Sequence, residues 1–134
     1  YQNDLAKMID SYGLSSKIVF TPFIESPMKI MPMLDLIILP TYEETFGLVV
    51  AESMLMGTPV IGSNAGGVPE IISDNYNGLL FESRNYKSLS KKILSIYESE
   101  DLRIKLSNNA KIFANEHYNY QKHFTKLTDI IQKI

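Results

Sequence analysis

A continuous apolar run at residues 36–39, which Pro40 closes, predicts a strand buried on both faces of a parallel sheet. A polar loop follows, and nearly every residue from 47 to 56 is apolar, as is typical of a largely buried helix. Gly57 can end that helix in the left-handed conformation, and residues 59–62 begin another apolar strand. The pattern therefore predicts a strand, loop, helix and strand in succession, which is the repeating unit of an α/β fold.

Shorter elements are predicted on both sides of this unit. Upstream, the pattern indicates a helix over residues 4–12 that Gly13 ends, a strand over 17–20, and a short helix that Ser26 caps. Downstream, it predicts a helical turn at 68–72, a strand at 78–81, and amphipathic helices at 89–97, 102–114 and 124–134. Strands that alternate with helices favour a parallel sheet.

One acid stands inside the central apolar helix. Glu52 lies roughly 7 Å along the helix axis from Gly47 and shares a side with Leu48, four residues earlier. The start of a helix offers free N–H groups and the positive end of the dipole, so it suits a phosphate. A phosphate there and a diol held by Glu52 would lie about one ribose apart. The alternative explanation of Glu52 is a salt-bridged or edge-exposed helix acid.

A second acid, Glu44, lies in the loop that follows the first of these strands. Ligands of open α/β sheets bind outside the carboxyl ends of the strands, so Glu44 stands where a ligand is expected. We interpret the adjacent Glu43 as a solvated neighbour, and the sequence alone allows the two roles to be exchanged.

The glycine-containing loop at residues 62–67 is a weaker candidate. It lacks the lysine and hydroxyl of a Walker sequence and the Gly-x-Gly-x-x-Gly spacing of a dinucleotide fold. Glycine pairs usually mark backbone constraints. We therefore predict a structural turn here in preference to a direct phosphate contact.

The composition is that of a soluble α/β domain: 134 residues, 45% hydrophobic, 21% charged, net charge −2 and no cysteine. No basic excess indicates a nucleic-acid partner, and the apolar runs are far shorter than a membrane span. We expect a cytoplasmic location. The chain begins at Tyr1 in the middle of a pattern, so we expect it to be a piece of a longer protein.

The distribution of charge restricts what the candidate site can do unaided. No lysine, arginine or histidine stands between Lys29 and Arg84, whereas this interval contains seven acids. A diphosphate beside Glu44 and Glu52 would meet like charge, and a helix dipole offsets only about 0.3–2 kcal/mol. Cations for such a ligand must come from elsewhere.

Glu44 and Glu52 form a Glu-x7-Glu spacing inside the run PTYEETFGLVVAESMLMGTPVIG, and NAGGVPEII and NGLLF follow in register. This stretch, from residue 36 to residue 81, resembles the carboxy-terminal, donor-binding domain of the retaining B-type glycosyltransferases, most closely family 4. The resemblance implies that Glu52 binds the ribose hydroxyls of a nucleotide sugar, and that Glu44 contacts the donor sugar and is the candidate catalytic residue. It implies further donor contacts from the backbone of Phe46, Gly47 and Leu48, with Thr45, Gly66 and Gly67 bordering the site.

The fold implied by this resemblance is a partial Rossmann-like, doubly wound parallel sheet followed by C-terminal helices. We expect one N-terminally truncated domain, with an α/β part at residues 1–98 and helices at 99–134. The family's sheet has the strand order 3-2-1-4-5-6, and the match starts near its third strand. The strand at 17–20 would then lack its neighbours, so we expect it to be displaced, to pair with another chain, or to be completed by an upstream segment.

The activity implied is transfer of a sugar from a nucleotide diphosphate sugar to a hydroxyl acceptor, with retention of configuration and no required metal. The resemblance implies that a missing N-terminal domain binds the acceptor, and that an arginine and a lysine upstream of this chain bind the diphosphate. It also suggests a role in glycan, glycolipid or polysaccharide synthesis, with the intact enzyme at the cytoplasmic face of a membrane. We expect this piece to be inactive alone and able to self-associate through exposed strand edges. The alternatives are a nucleotide-sugar epimerase, a sugar phosphorylase, and a non-catalytic nucleotide-sugar-binding module.

Overall fold

The computed structural model describes residues 2–118 of the chain. Its helices and strands, in chain order, are α1 (Gln2–Ser11), β1 (Ile37–Leu39), α2 (Leu48–Met56), β2 (Val60–Ser63), α3 (Val68–Ile71), β3 (Leu79–Phe81), α4 (Tyr86–Glu98) and α5 (Glu100–His117). Two short 3-10 helices, Pro27–Lys29 and Met31–Met33, precede β1. This succession confirms the α/β class and the predicted strand, loop, helix and strand.

The three strands form one parallel sheet in the order β1-β2-β3. Ile38, Ile61 and Leu79 stand side by side in the register, so their side chains share one face of the sheet. The order is the one that the resemblance implies for the last three strands of the family's sheet. Parallel strands end at the same edge, so the loops that follow all three strands lie on one side of the molecule.

Both faces of the sheet are covered, which explains why the strands are continuously apolar. One face packs against α2, α3 and the second half of α5, where Val50, Met54 and Ala110 are buried. The opposite face packs against α4 and the first half of α5, through Ile96 and Leu106. These two cores set the positions of β1 and α2, and therefore of the two ends of the loop between them.

The helices after β3 begin at capped positions. The side chain of Asn85 accepts a hydrogen bond from the N–H of Ser88, and that of Ser99 accepts one from the N–H of Leu102. The helices predicted at 89–97 and 102–114 are confirmed and are longer than predicted. The helix predicted at 124–134 lies outside the described residues. None of the described helices is both long and apolar enough to cross a membrane.

The strand predicted at 17–20 is wrong. These residues form no strand in the described part of the chain, and Val19 is 83% exposed. A strand needs a neighbour for its N–H and C=O groups, and apolar content alone does not supply one. Ser26 does precede a short helix, but its side chain makes no capping hydrogen bond, so the predicted cap is wrong too.

Candidate functional site

The loop between β1 and α2 carries the candidate site, and the carboxylate of Glu44 in this loop lies against the start of the helix. Glu44 Oε1 accepts a hydrogen bond from the N–H of Gly47 at 3.2 Å and a longer one from the N–H of Phe46 at 3.4 Å. The acid is half-buried, whereas the neighbouring Glu43 is exposed. Because a carboxylate at a helix N-terminus is stabilised by the positive end of the dipole, Glu44 occupies the position that suits an anionic ligand.

In the part of the chain that the structure describes, the helix α2 begins with N–H groups that have no acceptor. Gly47, the capping residue, adopts the left-handed conformation with φ 87° and has no side chain of its own to cap the helix. Within residues 2–118, the N–H groups of Leu48 and Val49 donate to no protein oxygen. Two free donors beside two donors held by Glu44 form a concentrated patch of N–H groups, which is chemically suited to a phosphate.

Glu52 lies on the outer side of α2, one turn beyond this patch. The residues exposed beside it are apolar: Leu48 is 66% exposed and Val49 is 41% exposed. Glu52 is half-buried, and within the described residues it makes no hydrogen bond or ion pair. The described residues therefore provide no salt bridge that would explain this acid. A partly desolvated carboxylate among exposed apolar side chains is suited to a ligand with both hydroxyl groups and apolar surface.

The glycine loop after β2 packs against the backbone of Glu44 and Thr45. The N–H of Gly67 donates to the carbonyl oxygen of Glu44 at 2.7 Å. A Cβ on Gly66 would stand 2.1 Å from that same oxygen, and one on Gly67 would stand 2.4 Å from the carbonyl oxygen of Thr45. The structural role predicted for this loop is confirmed, because only residues without a side chain allow the two backbones to approach so closely.

The end of α5 also reaches the site, which sequence reasoning missed. The Phe46 ring packs edge-on against the Tyr118 ring at 6.0 Å between centroids, and Tyr118 packs edge-on against Phe113 at 6.1 Å. His117 stacks on Phe113 at 4.1 Å. Burial raises the pKa of the Tyr118 phenol. These rings tie Phe46, whose N–H contacts Glu44, to the C-terminal helix.

A cation that follows β3 contacts the loop that carries Glu44. The guanidinium of Arg84, which follows β3, lies over the Tyr42 ring at 5.1 Å from the centroid. Tyr42 stands two residues before Glu44 in the same loop. The signal in the sequence was that Arg84 is the first cation after the long acidic interval, but nothing local indicated its partner.

The fold thus brings together most of the predicted residues. The start of α2 is surrounded by Glu44, Phe46, Gly47 and Leu48, and Glu52 follows on the outer side of the helix. The backbone of the loop at residues 44–45 packs against Gly66 and Gly67. Thr45 is exposed, and its carbonyl faces Gly67. Within residues 2–118, no group of three or more His, Cys, Asp or Glu side chains could hold a metal ion.

Comparisons with known proteins identify a family for this arrangement. The model of the family described as glycosyl transferases group 1 matches residues 1–113. D-inositol 3-phosphate glycosyltransferase of Corynebacterium kroppenstedtii is 32% identical over 98 residues, which are 73% of this chain and 22% of that protein. N-acetyl-alpha-D-glucosaminyl L-malate synthase of Bacillus anthracis is 25% identical over 118 residues, which are 88% of this chain and 31% of that protein. The chain therefore spans less than a third of the length of these relatives.

Solved structures agree with the family match. The Anabaena protein HepE in complex with UDP has a TM-score of 0.93 and 25% identity, over 100% of this chain and 37% of that one. The C-terminal domain of the glycosyl transferase group 1 protein LpcC from Francisella tularensis has a TM-score of 0.81 and 29% identity, over 89% of this chain and 63% of that one. HepE has also been solved in complex with UDP-glucose.

Proposed function

The chain belongs to the glycosyl transferases of group 1, and we propose that it forms the donor-binding part of an enzyme that transfers a sugar from a nucleotide diphosphate sugar to a hydroxyl acceptor. We propose further that the transfer retains the anomeric configuration. The fold, the loop after β1 and the glutamate pair support this function together.

One observation carries the proposal: within residues 2–118, a carboxylate that makes no hydrogen bond or ion pair lies one turn from a patch of N–H groups that have no acceptor. Glu52 stands about 6 Å along the axis from Leu48, whose N–H has no acceptor in the described chain. The patch takes the diphosphate and Glu52 takes the ribose hydroxyls, because ribose and diphosphate are adjacent in every nucleotide sugar. A charged acceptor that binds two neighbouring hydroxyls contributes about 1.5–3 kcal/mol per hydrogen bond.

The start of α2 also fits the chemistry of the leaving group. The bond between the sugar's anomeric carbon and the diphosphate oxygen breaks, and the nucleoside diphosphate departs with the electron pair. The N–H groups of Gly47, Leu48 and Val49 are fixed by the helix, so they stabilise the growing negative charge without reorganising. The acceptor oxygen attacks from the same face, and the departing diphosphate receives its proton.

Glu44 has two positions in the proposed reaction. Without a donor, its carboxylate holds the N–H groups of Phe46 and Gly47. The diphosphate displaces it from them, because two anions cannot share the same donors. The displaced carboxylate then orients the sugar and stabilises positive charge at its ring.

Incubating the full-length protein with UDP-glucose and a mixture of sugar and lipid-diphosphate acceptors tests this function. We expect an acceptor-dependent product whose anomeric signal in NMR has the donor's configuration. A product that forms without acceptor would indicate epimerisation, and one that requires inorganic phosphate would indicate phosphorolysis. The proposal would be overturned if the protein bound none of the diphosphates of uridine, guanosine, adenosine, cytidine and thymidine.

A further inference from the structure

A pocket of about 290 Å³ lies at the carboxyl ends of β1 and β3, beside the candidate donor site. Thr41 and Tyr42 line it from the loop after β1, and Arg84 and Tyr86 line it from the segment after β3. Tyr42 is 64% exposed and Tyr86 is 76% exposed, so both rings stand at the rim. Aromatic walls with one strongly polar group are the usual composition of a small-molecule site.

Arg84 is the single charged side chain among the residues that line this pocket. Within residues 2–118 it forms no ion pair. The nearest acid in the sequence is already engaged, since Glu82 Oε2 accepts a hydrogen bond from the Asn85 amide at 2.7 Å. The pocket therefore presents a positive charge that no protein carboxylate in the described chain neutralises.

The contact with Tyr42 prepares this guanidinium for an anion. A guanidinium held by an aromatic ring makes this contact through its charge and does not need its five N–H donors, so these can still bind an anion. The edge of a guanidinium matches phosphate or carboxylate oxygens in a two-bond geometry. The ring contact also restricts the side chain, so less conformational freedom is lost when a ligand binds.

The backbone of Arg84 has an unusual conformation. It adopts the left-handed conformation with φ 64°, which side chains other than glycine, asparagine and aspartate rarely adopt. Such a conformation costs about 1–2 kcal/mol and tends to persist at ligand sites. An asparagine would relieve this strain but would not carry a charge.

We propose that Arg84 and Tyr42 form an anion subsite that binds a phosphate or carboxylate group of one of the two substrates. The inference deepens the proposed function and rests on it. The subsite adds the cation that the acidic interval lacks, and it lies on the same edge of the sheet as Glu44. The anion belongs either to the donor diphosphate or to a charged acceptor.

The test titrates the full-length protein with UDP alone, with inorganic phosphate alone, and with inorganic phosphate at saturating UDP. The variant is Arg84→Asn, which removes the charge and tolerates the left-handed backbone. Arg103→Asn is the matched control, because Arg103, the other arginine of the chain, lines a different pocket beside Leu34 and Pro59. Arg84→Lys keeps the charge without the two-bond geometry and is expected to bind phosphate with intermediate affinity.

Two results support the inference and identify the source of the anion. If the anion belongs to the donor, Arg84→Asn weakens UDP binding at least about tenfold and UDP excludes inorganic phosphate. If it belongs to the acceptor, UDP binding is unchanged, phosphate still binds at saturating UDP, and Arg84→Asn weakens that phosphate binding at least about tenfold.

The inference would be overturned if Arg84→Asn bound both UDP and phosphate with dissociation constants within twofold of those of the wild type and of Arg103→Asn. Loss of the proposed function is distinguishable from this result. A wild type that binds no UDP, but whose phosphate binding depends on Arg84, would contradict the donor site and leave the anion subsite in place.

Discussion

Glu44 Oε1 lies 3.2 Å from the backbone nitrogen of Gly47, the residue that immediately precedes α2. The acid that we propose to contact the donor sugar therefore caps the helix tip that we propose to bind the diphosphate. The same N–H groups cannot serve both anions at once. The proposed site thus contains its own competitor, and the two glutamates should respond differently to mutation.

Glu44→Ala is expected to lower turnover strongly without weakening nucleoside diphosphate binding. Removing the competing carboxylate frees two N–H groups, so UDP should bind equally or up to about fivefold more tightly, which corresponds to one hydrogen bond of about 1 kcal/mol. Turnover should fall about 100-fold, because the sugar loses its orienting carboxylate. Calorimetry and initial rates on the full-length protein measure the two effects.

Glu43→Ala is the matched control for this prediction, since Glu43 is exposed and its side chain makes no hydrogen bond in the described chain. It should change neither quantity. A loss of turnover in Glu43→Ala with none in Glu44→Ala would show that the two adjacent acids have the opposite roles.

Gly66→Ala is expected to damage the site through the backbone. Its Cβ would stand 2.1 Å from the carbonyl oxygen of Glu44, and the residue has φ 56°. We expect a loss of about 2–4 kcal/mol in the free energy of unfolding, from the clash and the left-handed strain together. Nucleotide binding should weaken as well, because the Glu44 segment must move.

Gly13→Ala separates the two causes. Gly13 has a similar φ of 66°, but a Cβ there would meet nothing within 4 Å. This variant should lose only about 1–2 kcal/mol, from strain alone. Equal losses in the two variants, measured by urea unfolding, would contradict a role for the contact between the glycine loop and Glu44.

Asn77→Ala tests a structural reason for the Asn-Gly-Leu-Leu-Phe segment. Asn77 is fully buried; its side chain accepts from the N–H of Ser73 at 2.7 Å and donates to the carbonyl of Ile71 at 3.0 Å. Its loss removes the partners of the buried Ile71 carbonyl and of the partly buried Ser73 N–H, so we expect about 2–4 kcal/mol less stability. Asn108→Ala, at an exposed position, should change it by less than about 0.5 kcal/mol. Equal effects in the two variants would contradict this role of Asn77.

The burial of Tyr118 predicts a pH dependence at the alkaline end. Because burial raises the pKa of this phenol in the folded state, the unfolded chain loses the proton first as the pH rises. The contribution of Tyr118 is therefore complete below the unfolded pKa of about 10 and is lost as the pH rises toward the folded pKa. Tyr118→Phe should be more stable relative to the wild type at pH 11 than at pH 8. Parallel stability curves for the two proteins would contradict this.

The sequence predicted the parts of the site that depend on local pattern. The apolar blocks located β1, α2 and β2, and the position of Glu52 within an apolar helix was enough to mark it as a candidate ligand residue. The strand at 17–20 failed because a strand depends on a neighbour as well as on its own residues. The contacts of Arg84 with Tyr42 and of Tyr118 with Phe46 join segments far apart in the chain, so no local pattern could indicate them.

The capping position of Glu44 was missed for a related reason. Sequence spacing placed Glu44 outside the carboxyl end of a strand, which favours a ligand contact. The direction of its side chain depends on the left-handed turn at Gly47 and on the support from Gly67, and both are properties of the folded loop.

The central claim is that Glu52 binds the ribose hydroxyls of the nucleotide. A thermodynamic cycle that combines a mutation of Glu52 with the removal of a ribose hydroxyl, in 2′-deoxy-UDP compared with UDP, tests it most directly. The proteins are the full-length wild type, Glu52→Ala, and Glu70→Ala, which removes an exposed acid of α3. We predict that the wild type and Glu70→Ala prefer UDP at least about tenfold, and that Glu52→Ala binds the two nucleotides equally. An unchanged preference for UDP in Glu52→Ala would contradict the claim.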